Sequence, residues 1–248
     1  MKHVVVIGAT SGIGRGLARR LAAAGYRVGA VGRRVELLSQ LAAEQPAAFC
    51  TAAADISRSA EVVAALERLV GELGGMELCI VCAGTGELNP GLDFSLEEPA
   101  IRTNVLGWTA VVDWACGHFE RQGGGHLVVL TSVGGLRGGG AAPAYGATKA
   151  YQINYAEGLR QRAAKSGLPL PVTDIRPGFV ATALLRNADY PMLMRPEKVA
   201  EKLFRALERS KRRVVIDRRY ALLVLLWRLI PQWLWERLKI REKVKSKR

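Results

Sequence analysis

Histidine and cysteine are scarce in this chain of 248 residues, with three of the first and four of the second. His3, His118 and His126 have no metal-ligand spacing, so no metal site is expected. Cys50, Cys79, Cys82 and Cys116, with no secretory leader ahead of an N-terminal strand, point to a reducing, intracellular setting. Cys79 and Cys82 have the C-x-x-C spacing of redox sites, but they fall in the apolar run Leu78-Cys79-Ile80-Val81-Cys82-Ala83. Residues three apart on a strand face opposite sides, and burial preference makes both structural thiols. Long hydrophobic runs are also missing. The apolar block from Tyr220 to Trp235 has 16 residues broken by Arg228 and Pro231, short of the roughly 20 a spanning helix needs.

Acidic residues are few, 22 against 36 Lys and Arg, which leaves a net charge of +14. The imbalance is local. Residues 211–248 hold thirteen Lys or Arg against Asp217, Glu236 and Glu242, and the preceding chain is close to an ordinary enzyme's charge. Aromatics in this basic tail are clustered rather than interleaved with charge, so nucleic acid is not the expected partner. No internal repeat or low-complexity linker appears, and the length fits one large α/β domain with a sizeable core.

What the chain does have is alternation of short apolar runs with helical patterns, as in an open parallel sheet wrapped by helices. Strands are predicted at Val4–Ile7, Arg27–Val31, Ala48–Ala53, Leu78–Cys82, His126–Thr131 and Leu170–Ile175. Helices are predicted at Arg15–Ala24, Val35–Glu44, Glu61–Leu73, Ala100–Glu120 and Ala144–Ser166. The expected fold class is α/β, a three-layer, doubly wound parallel sheet.

Gly8, Gly12 and Gly14 lie at the turn from the first strand into its helix, where glycine lets backbone N–H groups approach a pyrophosphate. An acidic residue at the end of strand two would bind the adenosine ribose hydroxyls; this chain has Gly32-Arg33-Arg34 instead. Guanidinium groups bind a 2′-phosphate, which makes NADP(H) the expected cofactor, with Thr10 and Arg15 as further donors. Asp55 and Ile56 follow strand three as expected adenine contacts. Tyr145 and Lys149 are four residues apart, on one face of the predicted helix, 13 residues after Ser132. A nearby ammonium favours the ionised phenol, so the spacing predicts a tyrosine usable as acid or base near neutrality.

Together these motifs resemble the short-chain dehydrogenase/reductase family over about residues 3–182. The match comprises Gly8-x-x-x-Gly12-x-Gly14, Cys82-Ala83-Gly84, Asn104-Val105-Leu106-Gly107, Ser132, Tyr145-x-x-x-Lys149 and Pro177-Gly178. The chain departs from the family pattern at Ile7, where threonine is usual, and at Val81-Cys82, where two asparagines are usual. The resemblance implies a Rossmann-like sheet of about seven strands and assembly as a homodimer or homotetramer. It gives Tyr145 the role of general acid or base and Ser132 that of hydrogen-bond donor to the substrate oxygen. Lys149 lowers the tyrosine pKa and binds the nicotinamide ribose, and Asn104 holds a water that links Lys149 to solvent. Ser11, Ile13, Ala83, Gly84, Pro177, Gly178, Val180 and Thr182 complete the implied cofactor contacts.

Residues 183–196 occupy the family's variable substrate lid, and Leu184, Leu185, Tyr190, Met192, Leu193 and Met194 make it apolar. A lipophilic ketone or secondary alcohol is the expected substrate, a hydroxysteroid or a long-chain 3-keto lipid such as 3-ketosphinganine before a 3-oxoacyl thioester. The rival from another class is a non-catalytic NADP(H) sensor or scaffold. Residues 1–215 form the expected catalytic domain and 216–248 an apolar and basic extension. That extension suits an anionic membrane surface at the inner face, or a terminal helix pair packed on its own domain or a second subunit.

Overall fold

Val4, Val5, Val6 and Ile7 are β-branched, and all four are fully buried, which only a central strand covered on both faces achieves. They form β1 (His3–Ile7) in a computed structural model that describes residues 2–185, 190–207 and 211–238. The strands that follow are β2 (Arg27–Gly32), β3 (Phe49–Ala53), β4 (Leu78–Val81), β5 (His126–Leu130), β6 (Val172–Arg176) and β7 (Arg213–Val215). All pair in parallel, in the order β3-β2-β1-β4-β5-β6-β7. The order reverses between β1 and β4, where Ile7 is level with Val81, and a crevice opens beyond their carboxyl ends.

Helices cover both faces. On one lie α1 (Gly12–Ala23), α2 (Val35–Glu44), α7 (Pro196–Leu207) and α8 (Arg218–Leu229), packing Leu17, Leu41, Leu203 and Tyr220 onto Val4 and Val6. On the other lie α3 (Ser59–Leu73), α5 (Trp108–Gln122) and α6 (Pro143–Ser166), packing Leu66, Trp108, Phe119 and Ala156 onto Val5 and Ile7. Cys79 belongs to the second cluster and Cys82 packs on the first, so the C-x-x-C pair does straddle the sheet. Both thiols are free.

Three elements depart from the sequence expectation. The long helix starts earlier, as α4 (Phe94–Ile101), because Asp93 caps it through a bond from Ser95 N–H and Pro99 is accommodated inside. It then passes through a π-helical stretch, Arg102–Gly107, before α5. Helix α7 was not expected between the lid and the tail; its Val199, Leu203 and Ala206 pack against α1. The C-terminal segment shares the core: Ile216, Tyr220 and Val224 join the first cluster, and Pro231 ends α8 before the short α9 (Gln232–Trp235). The lid positions 186–189 and the basic cluster from 239 onward lie outside the described residues.

Candidate active site

The turn after β1 is drawn tight by two bonds, from Gly8 N–H and Ala9 N–H to the Val31 carbonyl at 2.9 Å each. Gly8 has φ +91° and Gly12 φ +54°, both in the left-handed region. A Cβ on Gly8 would come 2.7 Å from the Ala83 nitrogen, and one on Gly12 2.9 Å from the Thr182 methyl. Ser11 precedes α1 in extended conformation with no side-chain cap bond, and the first turn carries no acidic residue. The result is a cleft of about 410 Å³ whose walls include Gly8, Thr10, Ser11, Gly12, Ile13 and Gly14. Backbone donors at an uncapped helix start suit a pyrophosphate, so the residues present fit a dinucleotide.

Further along the cleft come Arg33, Arg34, Asp55 and Ile56, then Ala83, Gly84 and Thr182. Arg34 donates to the Thr10 hydroxyl at 2.9 Å, and Arg33 reaches the Asp55 carboxylate at 3.5 Å. Both guanidinium groups are exposed. Arg15 does not take the expected place among the donors: its guanidinium bonds Glu44 at 3.3 Å, beside Arg19, and it is not part of the cleft wall. Of the loop after β6, Thr182 lines the cleft, whereas Val180 is buried in the core and Gly178 is covered by the Tyr220 ring. The Pro177 carbonyl accepts from Val133 N–H at 3.1 Å, which ties this loop to the segment after Ser132.

Ser132, Tyr145, Lys149 and Asn104 lie behind the cleft wall rather than in it, with Tyr145 packed on Gly86 and Lys149 bonded to Leu130. Ser132 follows β5 and its hydroxyl accepts from Gly134 N–H at 3.0 Å. Tyr145 and Lys149 rise from the first turns of α6, and Asn104 from the π-helical stretch faces them. Asn104 is fully buried, accepting from Thr85 N–H at 2.9 Å and donating to the Thr85 carbonyl and the Thr148 hydroxyl. Lys149 is 95% buried; its Nζ donates to the Leu130 carbonyl at 3.1 Å and to Gln152 Oε1 at 2.9 Å, 5.9 Å from the centre of the Tyr145 ring.

The electrostatics correct the simple spacing argument. Burial pushes the Tyr145 phenol above its ordinary pKa, and a hydrogen bond with Ser132 only partly offsets this. Burial also brings Lys149 down to about 8. The hydrogen bonds of Nζ go to the Leu130 carbonyl and the Gln152 amide rather than to the phenol.

Several cleft residues escaped the sequence reading: Thr85, Gly86, Glu87 and Thr103. Gly86 presses against the Tyr145 ring so closely that a Cβ there would overlap it. The Gly84-x-Gly86 doublet was the available signal. Gln152, one turn beyond Lys149, was missed as well.

The profile of the short chain dehydrogenase family matches residues 2–191. This chain belongs to that family. Among curated relatives, an uncharacterized oxidoreductase of Myxococcus xanthus is 32% identical over 242 residues, 95% of each chain. A short-chain dehydrogenase from Streptomyces avermitilis superposes with a TM-score of 0.81 at 23% identity, covering 92% of each chain, a likeness of fold. A 3-ketoacyl-(acyl-carrier-protein) reductase from Brucella melitensis, complexed with NADH, gives a TM-score of 0.78 at 25% identity over 87% of this chain and 96% of its own. The short-chain dehydrogenase described here is accordingly an oxidoreductase built around an NAD(P)(H) cleft.

Proposed function

We propose that this short-chain dehydrogenase is an NADP(H)-dependent carbonyl reductase that interconverts a lipophilic ketone and its secondary alcohol. The observation that carries the reading is Tyr145, a buried phenol hydrogen-bonded with Ser132, packed behind Gly86 in the wall of a cleft that also holds Arg33 and Arg34. The bound nicotinamide supplies hydride. Tyr145 donates its proton to the carbonyl oxygen, and Ser132 offers a second donor where negative charge develops. Lys149 contributes a buried positive charge that favours the same developing anion, and Asn104 fixes the Thr85 backbone and Thr148 around it. The raised tyrosine pKa keeps available the acid that the reductive direction uses.

Arg33 and Arg34, the latter steadied by Thr10, favour a 2′-phosphate and hence NADPH over NADH. Leu184 lines the cleft, and Phe179 stacks on Tyr190 with ring centres 4.5 Å apart at the lid base, which supports a lipophilic substrate of the hydroxysteroid or long-chain 3-keto lipid kind. The outer face of α8 exposes Leu222, Leu225, Leu226 and Leu229 among Arg218, Arg219 and Arg228, a pattern suited to an anionic bilayer surface at the inner face. Among the described residues no helix is long and apolar enough to cross a membrane. Exposed Leu92, Phe94 and Leu106 around α4 supply a face for a homodimer or homotetramer.

The test is NADPH consumption by the purified protein against a panel of lipophilic ketones, with Tyr145→Phe as control. Turnover that falls at least about a hundredfold in the variant, with NADPH affinity kept, supports the reading. Tight NADPH binding without turnover of any ketone would transfer the protein to the sensor class.

A further inference from the structure

The interior side of Lys149 is closed by a side chain. Lys149 and Asn104 both approach Gly84. In this chain Gln152, fully buried on α6, stands between the two: its Oε1 accepts from Lys149 Nζ at 2.9 Å and its Nε2 donates to the Asn104 backbone carbonyl at 2.9 Å. An amide has an acceptor end and a donor end, and both ends are matched to what they face. We infer that Gln152 is a positioning residue for this oxidoreductase, fixing the Lys149 ammonium against the Asn104 backbone.

Two features support a dedicated role. A glutamine with no exposed surface needs partners for both amide atoms, and here they are the catalytic lysine and the backbone of the π-helical stretch, on opposite sides of the site. The other groups around Lys149 do not compete for its Nζ. Asp174 on β6 is bonded by Arg176 and Thr131, burial holds the Cys82 thiol protonated, and Tyr145 presents its ring at 5.9 Å. Leu130 on β5 offers a neutral carbonyl. Gln152 is therefore the side chain that hydrogen-bonds the ammonium, while burial lowers its pKa and Cys82 and Asp174 act on it through space.

The inference rests on the assignment of Lys149 to the active site, and the test separates the two. The titration of Lys149 is followed by the ¹³C shift of labelled lysine ε-carbons, assigned with Lys149→Met, in the wild type, Gln152→Glu and Gln152→Leu. Both variants lose the bond to Asn104 and both melt lower. Gln152→Glu places a carboxylate on the ammonium and raises the Lys149 midpoint by about one unit or more, whereas Gln152→Leu removes the acceptor and lowers it. With a turned-over ketone in hand, kcat falls about tenfold or more in Gln152→Leu, KM for NADPH changes less, and the alkaline limb of the rate follows the Lys149 midpoint in each variant. Identical Lys149 midpoints in all three proteins would overturn the inference and leave Gln152 a packing residue. Opposite shifts without turnover would uphold it and count against the reductase reading alone.

Discussion

A buried amine at about pKa 8 beside a phenol pushed above 10 makes a clear pair of pH predictions for the active site. Carbonyl reduction falls as pH rises past about 8, where Lys149 loses its charge, while Tyr145 stays loaded. Alcohol oxidation, which needs the phenolate, still rises there. Rate profiles in both directions check this, and a reduction rate flat to pH 10 contradicts it. The same lysine has a stability sign. Its folded pKa lies below the unfolded value of 10.5, so the cost of its buried charge is fully present below pH 8 and is relieved as pH rises from 8 toward 10.5. Gly86→Ala is expected to push the Tyr145 ring off its place and cut kcat strongly while NADPH still binds, since a Cβ overlaps the ring. Unchanged kcat would mean that the ring is free to give way. Sequence spacing put Tyr145 and Lys149 on one helix face correctly. It could not show where the ammonium points, because a long flexible side chain is directed by its burial and by the Leu130 carbonyl on another element, as well as by Gln152 one turn on.

Elements were legible where their hydrophobic period was strong. The predicted Val35–Glu44 helix coincides with α2, and the six predicted strands appear within a residue or two. The π-helical stretch at Asn104 has no sequence period of its own, and β7 is three residues long, too short to announce itself. The C-terminal helices were legible as apolar and basic, but not in how they are fastened. Arg137, from the glycine-rich segment between Ser132 and Tyr145, donates to Gln232 Oε1 and to the Trp227 and Ile230 carbonyls at 2.8, 3.0 and 2.6 Å, and lies 5.6 Å from the Trp235 ring. Trp235 in turn donates to the Gly138 carbonyl at 2.8 Å. The end of α8 is thus closed by a side chain from this glycine-rich segment rather than by a glycine. Arg137→Ala is expected to cost about 1 to 3 kcal/mol and lower the melting temperature by several degrees, leaving NADPH affinity unchanged. A melting curve identical to that of the wild type would contradict the clamp.

At the scale of the whole molecule, charge is segregated: most of the net +14 belongs to the last 38 residues, which include the helix that exposes leucines. Removing everything after Val215 would strip Ile216, Tyr220 and Trp235 from the core, so surface substitutions are the cleaner probe. Leu222→Ser, Leu225→Ser and Leu229→Ser together are expected to abolish sedimentation with anionic lipid vesicles without lowering the melting temperature. Retained sedimentation would exclude this face as the bilayer contact. At the other end of the cleft, replacing Arg33 and Arg34 by alanine is expected to weaken NADPH about tenfold or more and NADH little, read by binding titration. Equal losses would remove the 2′-phosphate assignment. The most direct test of the central claim is transfer of the label from NADPH deuterated at nicotinamide C4 into a lipophilic ketone, followed by mass spectrometry of the product. Deuterium is expected at the carbinol carbon with the wild-type protein and none with Tyr145→Phe. Product carbon free of label, or labelled equally by both proteins, would contradict it.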